Sequence, residues 1–151
     1  PAVVLIPIAI VLLGINDSMP IFVIAFGSVW PVLFNTMDGV AGIDRLALNS
    51  ARAIGLRGPA LYRYVVLPAA LPRILAGARV SLGIAVVLMI SSELYASTAG
   101  VGREILLQQH KFDTPKMFAG VVMACLIGIL LNALFVLYER WALRGRPKVE
   151  R

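Results

Sequence analysis

The chain has 151 residues, of which 60% are hydrophobic and 15% are charged, whereas about a quarter of the residues of an ordinary soluble domain are charged. Its mean hydropathy is +0.88. This composition excludes a soluble globular enzyme and a disordered chain. A single cysteine, Cys125, also excludes a disulfide-bonded scaffold. An integral membrane protein remains.

Four stretches with no charge, or with one, predict membrane spans, because about 20 apolar residues in a helix cross the hydrocarbon core. They cover residues 1–15, 20–37, 74–92 and 117–138. The first would be about 22 Å long as a helix, which is short for a complete span. The third contains Arg79, whose guanidinium either extends to the interface or serves a pore.

The distribution of basic residues predicts the orientation of these spans. With four spans, the connection at 38–73 and the C-terminal tail lie on the same side, and together they hold ten Lys and Arg residues. The opposite side holds three, which are Arg103, Lys111 and Lys116. The positive-inside rule therefore places the connection and the tail in the cytoplasm. It also explains the net charge of +6 without nucleic-acid binding.

The connection at 38–73 contains two predicted short helices where a simple turn would join the spans. Residues 40–55 have the apolar spacing of an amphipathic helix, which Gly55 would end. A second helix is predicted over 59–66, ended by Pro68. Two interpretations remain open: helices lying on the lipid surface, or a projection that docks into a groove of a soluble partner. The predicted apolar face of the first helix consists of Ile43, Leu46, Ala47, Ala51 and Ile54.

The same connection resembles the EAA loop of bacterial ABC-importer permeases. That pattern is Glu-Ala-Ala, three residues, Gly, nine residues, Ile, one residue and Leu-Pro, and the spacing matches throughout. Further similarity at 76–79, 92–94 and 100–102 is to the nitrate/sulfonate/taurine permease branch. Asn49 and Ser50 depart from the pattern, since they replace its Glu and first Ala. The matching positions are Asn49, Ser50, Ala51, Gly55, Val65, Leu67 and Pro68.

The resemblance implies an all-α polytopic helical bundle of the type I ABC-importer permease kind, multi-pass in the bacterial inner membrane. Members of the family usually have six spans, so the four predicted here would be the last four. We expect residues 1–151 to form a single transmembrane domain that contains the coupling loop at 38–73. The implied partners are an ABC ATPase subunit, a periplasmic or lipid-anchored solute-binding protein, a second permease copy in a homodimer, and membrane lipid.

In this family the loop sits in a groove of the ATPase, so its residues are candidates for coupling. Gly and Pro would set the backbone path, Leu61 and Tyr62 would be anchors, and Arg63 would pair with an acidic rim. The alternative for Gly55, Leu67 and Pro68 is that they only shape the loop. The complete predicted set is Asn49, Ser50, Ala51, Gly55, Gly58, Pro59, Leu61, Tyr62, Arg63, Val65, Leu67 and Pro68.

The chain has no glycine-rich phosphate-binding motif followed by Lys and Ser or Thr. We therefore expect no catalytic residue and no cofactor on this chain, with ATP and Mg²⁺ bound by the partner ATPase. His110 has no cysteine or carboxylate neighbours at metal-ligand spacing, so no metal site is predicted.

Polar residues in or beside the spans are candidates for the solute path, or for hydrogen bonds between helices. Glu93 is either a functional carboxylate in the membrane or a residue wetted at the outer interface, and it could also bond to the glycine-rich turn at 100–102. Residues 102–112 are predicted to form a short helix across the pore mouth that contacts the binding protein, with a solvated loop as the alternative. The candidate path residues are Ser81, Ser91, Ser92, Glu93 and Asn132.

The sequence thus predicts a permease subunit of an ATP-driven importer for a small solute, such as the anions nitrate, sulfonate or taurine. The main alternative is an ion-gradient-driven secondary transporter or channel subunit, which would have more paired charges in its spans and no docking loop. A membrane-embedded enzyme would need a catalytic constellation. A passive anchor would not need the double helix of the connection.

Overall fold

The computed structural model describes residues 2–16, 18–97 and 99–144, and every regular element in these ranges is helical. The all-α membrane fold is therefore confirmed. A 3₁₀ turn at Ala2–Val4 precedes the first helix, and a π-helical turn at Tyr62–Val66 joins the fourth helix to the fifth. The helices are α1 (Leu5–Leu13), α2 (Ser18–Ala41), α3 (Arg45–Ala53), α4 (Pro59–Leu61), α5 (Leu67–Ala96), α6 (Val101–His110) and α7 (Thr114–Ala142).

Three of the four predicted spans are helices that are long and apolar enough to cross a membrane: Ser18–Ala41, Pro59–Tyr95 and Thr114–Ala142. The stretch at 1–15, predicted to be short for a complete span, contains the shorter apolar helix Ala2–Leu13. This helix ends at Gly14, whose positive φ of 76° turns the chain towards α2.

The antiparallel helices α2 and α5 form the centre of the bundle and approach closely through small residues. A methyl group on Gly77 would lie 2.7 Å from the carbonyl oxygen of Pro31, and one on Gly39 would lie 2.8 Å from Cβ of Arg73. The hydroxyl of Ser81 donates a hydrogen bond to the carbonyl of Ser28 across the same contact. Small residues and interhelical hydrogen bonds are typical of helix packing in membranes, where burial gives little driving force. The largest fully buried side chains are Ile6, Met19, Val23 and Ser92.

The first loop helix begins later than the sequence predicts. Helix α2 continues to Ala41, and α3 starts only at Arg45 because Asp44 caps it: Oδ1 of Asp44 accepts a hydrogen bond of 2.9 Å from the amide of Leu46. The predicted stop at Gly55 is confirmed, since Gly55 follows the end of α3 with φ +89°.

The prediction that the second loop helix ends at Pro68 is wrong. The helix that begins at Pro59 continues without interruption to Tyr95. Within the π-helical turn, the amide of Leu67 bonds to the carbonyl of Tyr62, five residues back. This wider turn leaves room for a proline ring, which would clash in a regular helix interior and which has no amide hydrogen to donate. The second helix of the loop and the span α5 therefore form one helical rod.

Helices α6 and α7 complete the fold as a hairpin against the far end of α5. A methyl group on Gly120 of α7 would lie 2.7 Å from the side chain of Ile105 on α6, and one on Gly128 would lie 3.6 Å from Val86 on α5. Most large apolar side chains of α7 are exposed in this single chain. Helix α7 thus offers a broad apolar surface to lipid or to another protein segment.

Candidate functional site

The connection between α2 and α5 has a small apolar core of its own. Ala51, Leu61 and Val66 are buried, and Ile43 and Leu48 pack against them. The same unit encloses a cleft of about 560 Å³. The loop is thus a folded projection, which favours a docking element over a flexible linker. The cleft is lined by Val40, Ile43, Leu48, Arg52, Arg57, Gly58, Leu61, Tyr62 and Val66.

The residues proposed as partner anchors differ in their exposure. Leu61 is 8% exposed and belongs to the interior of the loop, whereas the side chain of Tyr62 is 64% exposed. Arg63 is exposed beside it. Tyr62 and Arg63 are therefore accessible to a partner, and Leu61 stabilises the turn that presents them.

The predicted apolar face of the first loop helix is wrong for three of its five residues, since Leu46, Ala47 and Ile54 are exposed. Leu46 is 70% exposed and Ile54 is 79% exposed, while Leu48 and Ala51 face the core. Leu48 on α3 and Leu56 after it pack against the core of the loop. The buried face of the helix therefore differs from the face that its first apolar positions predict. Leu46, Ala47 and Ile54 are therefore surface residues of the loop, which the apolar spacing does not predict.

The remaining motif residues divide between surface and interior. Asn49 and Ser50 are exposed, while Ala51 is buried. Val65 packs against the loop core, and Leu67 is 54% exposed. Pro68 lies half-buried at the start of α5.

Gly55 and Gly58 are needed for backbone geometry rather than for space. Both have positive φ, at +89° and +54°, and a methyl group on either would have no atom within 4 Å. Most residues with a Cβ pay a free-energy cost in this region. Gly58 precedes Pro59, which takes the first helical position. These glycines fix the path by which α3 joins the rod.

Exposed guanidinium groups surround the loop. Arg52 and Arg57 line the cleft, and Arg63 lies on the same projection as both. All three are exposed. Such a positive surface complements an acidic partner.

The candidate path residues do not form one cluster. Ser81 and Ser92, both on α5, are separated by about 16 Å along the helix axis. Ser81 bonds to α2, and the buried hydroxyl of Ser92 donates a 2.8 Å hydrogen bond to the carbonyl of Met89. Ser91 is half-buried, whereas Asn132 is exposed on α7. Ser81 therefore forms a bond between helices, which was one of the two alternatives.

The predicted bond between Glu93 and the glycine-rich turn is present. The amide of Gly102 donates a 2.8 Å hydrogen bond to Oε2 of Glu93. A methyl group on Gly102 would lie 2.7 Å from the carbonyl oxygen of Ile90, so the turn is pressed against α5. The carboxylate stands at the N-terminus of α6, where the helix dipole favours a negative charge.

Arg79 has a partner that the sequence analysis did not identify. Its guanidinium nitrogen Nη2 lies 3.1 Å from Oε2 of Glu139 on α7, and the two side chains are 43% and 19% exposed. Oε2 of Glu139 has no aligned hydrogen bond, so the contact is an ion pair. Charged side chains within membrane spans usually pair with an opposite charge. Arg79 within an apolar stretch was therefore the sequence signal for an acidic partner on another helix.

The short helix predicted at 102–112 is present as α6. Gln108, one of its polar residues, is buried and donates a hydrogen bond to Glu104. Gln109, His110 and Lys111 remain exposed at its end.

Asp113 begins α7 as its cap. Its side chain lies 2.7 Å from Nζ of Lys116 and also accepts a hydrogen bond from the amide of Lys116. The hydrogen bonds from Lys116 lower the pKa of Asp113. Among residues 2–16, 18–97 and 99–144, no three His, Cys, Asp or Glu side chains are grouped as metal ligands.

Comparison with known proteins decides the family. Residues 1–144 match the model of the binding-protein-dependent transport system inner membrane component. The chain belongs to this family. The nitrate/sulfonate/taurine permease branch, inferred from the similarity at 76–79, 92–94 and 100–102, is confirmed.

Three relatives illustrate the range of this permease family. The chain is 34% identical to a putative aliphatic sulfonates transport permease of Escherichia coli over 97% of its own length and 56% of the relative. It is 34% identical to a probable ABC transporter permease of Brucella melitensis, over 93% of the chain and 57% of the relative. It is also 34% identical to a bicarbonate transport system permease of Synechococcus elongatus, over 93% of the chain and 51% of the relative. The chain spans about half the length of these curated relatives.

Proposed function

We propose that this chain is part of the permease subunit of an ATP-driven ABC importer. The folded projection between α2 and α5, residues 42–66, would couple it to a separate ATPase. The observation that carries this proposal is the continuous helix Pro59–Tyr95, which joins the projection to a membrane span. A secondary carrier or channel would not require a folded projection fused to a span in this way.

The continuous helix supplies the mechanical step. An ATPase that grips Tyr62 and Arg63 and moves on ATP binding displaces the π-helical turn. Because no flexible joint separates this turn from Leu67, the displacement passes along α5. The close contacts of α5 with α2 and its ion pair with α7 then carry the movement into the bundle. Such movement would alternate the access of the path between the two sides of the membrane.

A small anion is the proposed solute. The named relatives transport aliphatic sulfonates and bicarbonate, which are both anions. A solute-binding protein outside the membrane would deliver the anion, and two copies of the permease would enclose the path. The half-buried Ser91 on α5 is the proposed path residue. Glu93 accepts a hydrogen bond from the amide of Gly102, and its negative charge is poorly suited to bind an anion.

The proposed orientation places the projection and the C-terminal end of α7 in the cytoplasm, in a bacterial inner membrane. The excess of Lys and Arg in these regions supports it. ATP and Mg²⁺ would bind to the partner ATPase, and this chain would hold no cofactor.

The proposal is tested by reconstituting the complete permease with its ATPase and binding protein in vesicles. We expect uptake of a labelled sulfonate or of bicarbonate only with ATP, and loss of uptake with an ATPase that cannot hydrolyse ATP. Uptake that follows an imposed ion gradient without the ATPase would instead favour a secondary transporter.

A further inference from the structure

The C-terminal part of α7, from Leu134 onwards, carries an exposed apolar stripe that ends in arginines. Leu134, Leu137 and Trp141 follow helical spacing on one face and are 55%, 66% and 66% exposed. Together with Tyr138, Arg140 and Arg144 they line a cleft of about 470 Å³. The cleft therefore has an apolar length and a cationic end.

The end of this cleft at Arg140 and Arg144 carries a net positive charge. A neighbouring cleft contains Arg79 and Glu139 in addition to Arg140 and Arg144. Because Arg79 lies 3.1 Å from Glu139, this carboxylate is already neutralised by an ion pair. Among the described residues that line the two clefts, no second acidic side chain compensates Arg140 and Arg144.

The aromatic residues indicate the depth of this surface in the membrane. The ring centroids of Tyr138 and Trp141 are 6.3 Å apart, at the end of a helix long enough to span. Tyr and Trp collect at membrane interfaces, where a ring meets both acyl chains and headgroups. The stripe from Leu134 thus runs from the hydrocarbon region to the headgroup region.

We propose that this surface binds one anionic phospholipid, with an acyl chain along Leu134, Leu137 and Trp141 and the phosphate at Arg140 and Arg144. Basic clefts beside membrane helices favour anionic headgroups. Charge complementarity decides against a second copy of the chain, since a two-fold contact here would bring two identical arginine pairs together. The site is independent of the solute and of the direction of transport.

The test uses the fluorescence of Trp141 in the complete permease, reconstituted in vesicles that contain dibrominated phosphatidylglycerol or dibrominated phosphatidylcholine. The difference between the wild type and W141F isolates the quenching at this residue. We expect phosphatidylglycerol to be preferred by up to about 30-fold, since each basic residue near an anionic headgroup contributes about fivefold. R140Q/R144Q should lower this preference to nearly one, and R140K/R144K should retain it.

R103Q/K111Q is the matched control, because it removes two positive charges at α6 and leaves this surface intact. It should keep the preference of the wild type. Equal quenching by the two lipids in the wild type would overturn the proposal, as would an equal loss in R103Q/K111Q. Absence of quenching by either lipid would show that protein covers the surface, which would also overturn it.

Discussion

Arg79 on α5 and Glu139 on α7 form an ion pair of 3.1 Å that ties the helix continuing from the projection to α7. The pair lies between the π-helical turn and the middle of α5. In the proposed mechanism, a displacement of the projection along the rod would reach α7 through this contact. The pair is a structural link on the proposed route of coupling.

Breaking this pair should destabilise the permease and weaken coupling. Arg79→Ala removes the guanidinium that lies 3.1 Å from Glu139, at a cost of about 1–2 kcal/mol, since the pair is partly exposed. Thermal unfolding of the purified permease measures the loss. The exchange R79E/E139R should restore most of the stability. If the exchange is as unstable as R79E alone, the two residues do not stabilise the permease as a pair.

Tyr62→Ala should uncouple ATP hydrolysis from transport while membrane insertion stays normal. The side chain is 64% exposed on the projection and contributes contact area to a partner. Uptake and ATPase stimulation in reconstituted vesicles measure the effect, and we expect both to fall at least tenfold.

Tyr95→Ala is the matched control for that change. Tyr95 is 71% exposed but stands at the opposite end of α5. It should retain the uptake and the ATPase stimulation of the wild type. Normal uptake in Tyr62→Ala would show that Tyr62 does not contribute to docking of the ATPase.

Gly55→Ala should destabilise the projection through its backbone. The positive φ of +89° costs about 1–2 kcal/mol for a residue with a Cβ, although no atom obstructs the added methyl group. Gly83→Ala is the comparison, because Gly83 also has open space around it but lies inside α5 with helical geometry. That change should be neutral or stabilise by up to about 1 kcal/mol. Thermal unfolding distinguishes the two, and equal midpoints would contradict the role of φ.

Glu93→Ala should loosen α6. The change removes the acceptor for the amide of Gly102 and the negative charge at the helix N-terminus, at a cost of about 1–3 kcal/mol. Hydrogen exchange of the α6 amides, measured by mass spectrometry, should become faster. Glu93→Gln keeps an oxygen acceptor and should show a smaller increase. Unchanged exchange in both variants would show that the bond does not hold α6.

Much of the fold could be predicted from the sequence because its signals are local. Long apolar stretches gave the three spans, and Gly55 and Pro59 marked turns of the projection by their own backbone preferences. The hydrogen bond from Gly102 to Glu93 could also be predicted, because the two residues are only nine positions apart in the chain.

The errors arose where packing outweighed local preference. Pro68 predicts a helix end, but a π-helical turn accommodates its ring and keeps the rod continuous. Periodicity assigned Ile54 to the buried face of α3, whereas Leu48 and Leu56 determine which face packs. The pairing of Arg79 with Glu139 depends on the approach of α5 to α7, which no local pattern encodes.

The most direct test of the account is site-specific cross-linking of the projection to the ATPase in native membranes. Cys125, which is exposed, is first replaced by serine, and a single cysteine is then placed at Ile54 or at Lys111. We predict that a short bifunctional reagent joins the ATPase to position 54 and not to position 111. A cross-link from position 111 alone would contradict the proposed coupling, because it would place the ATPase at the opposite end of the bundle.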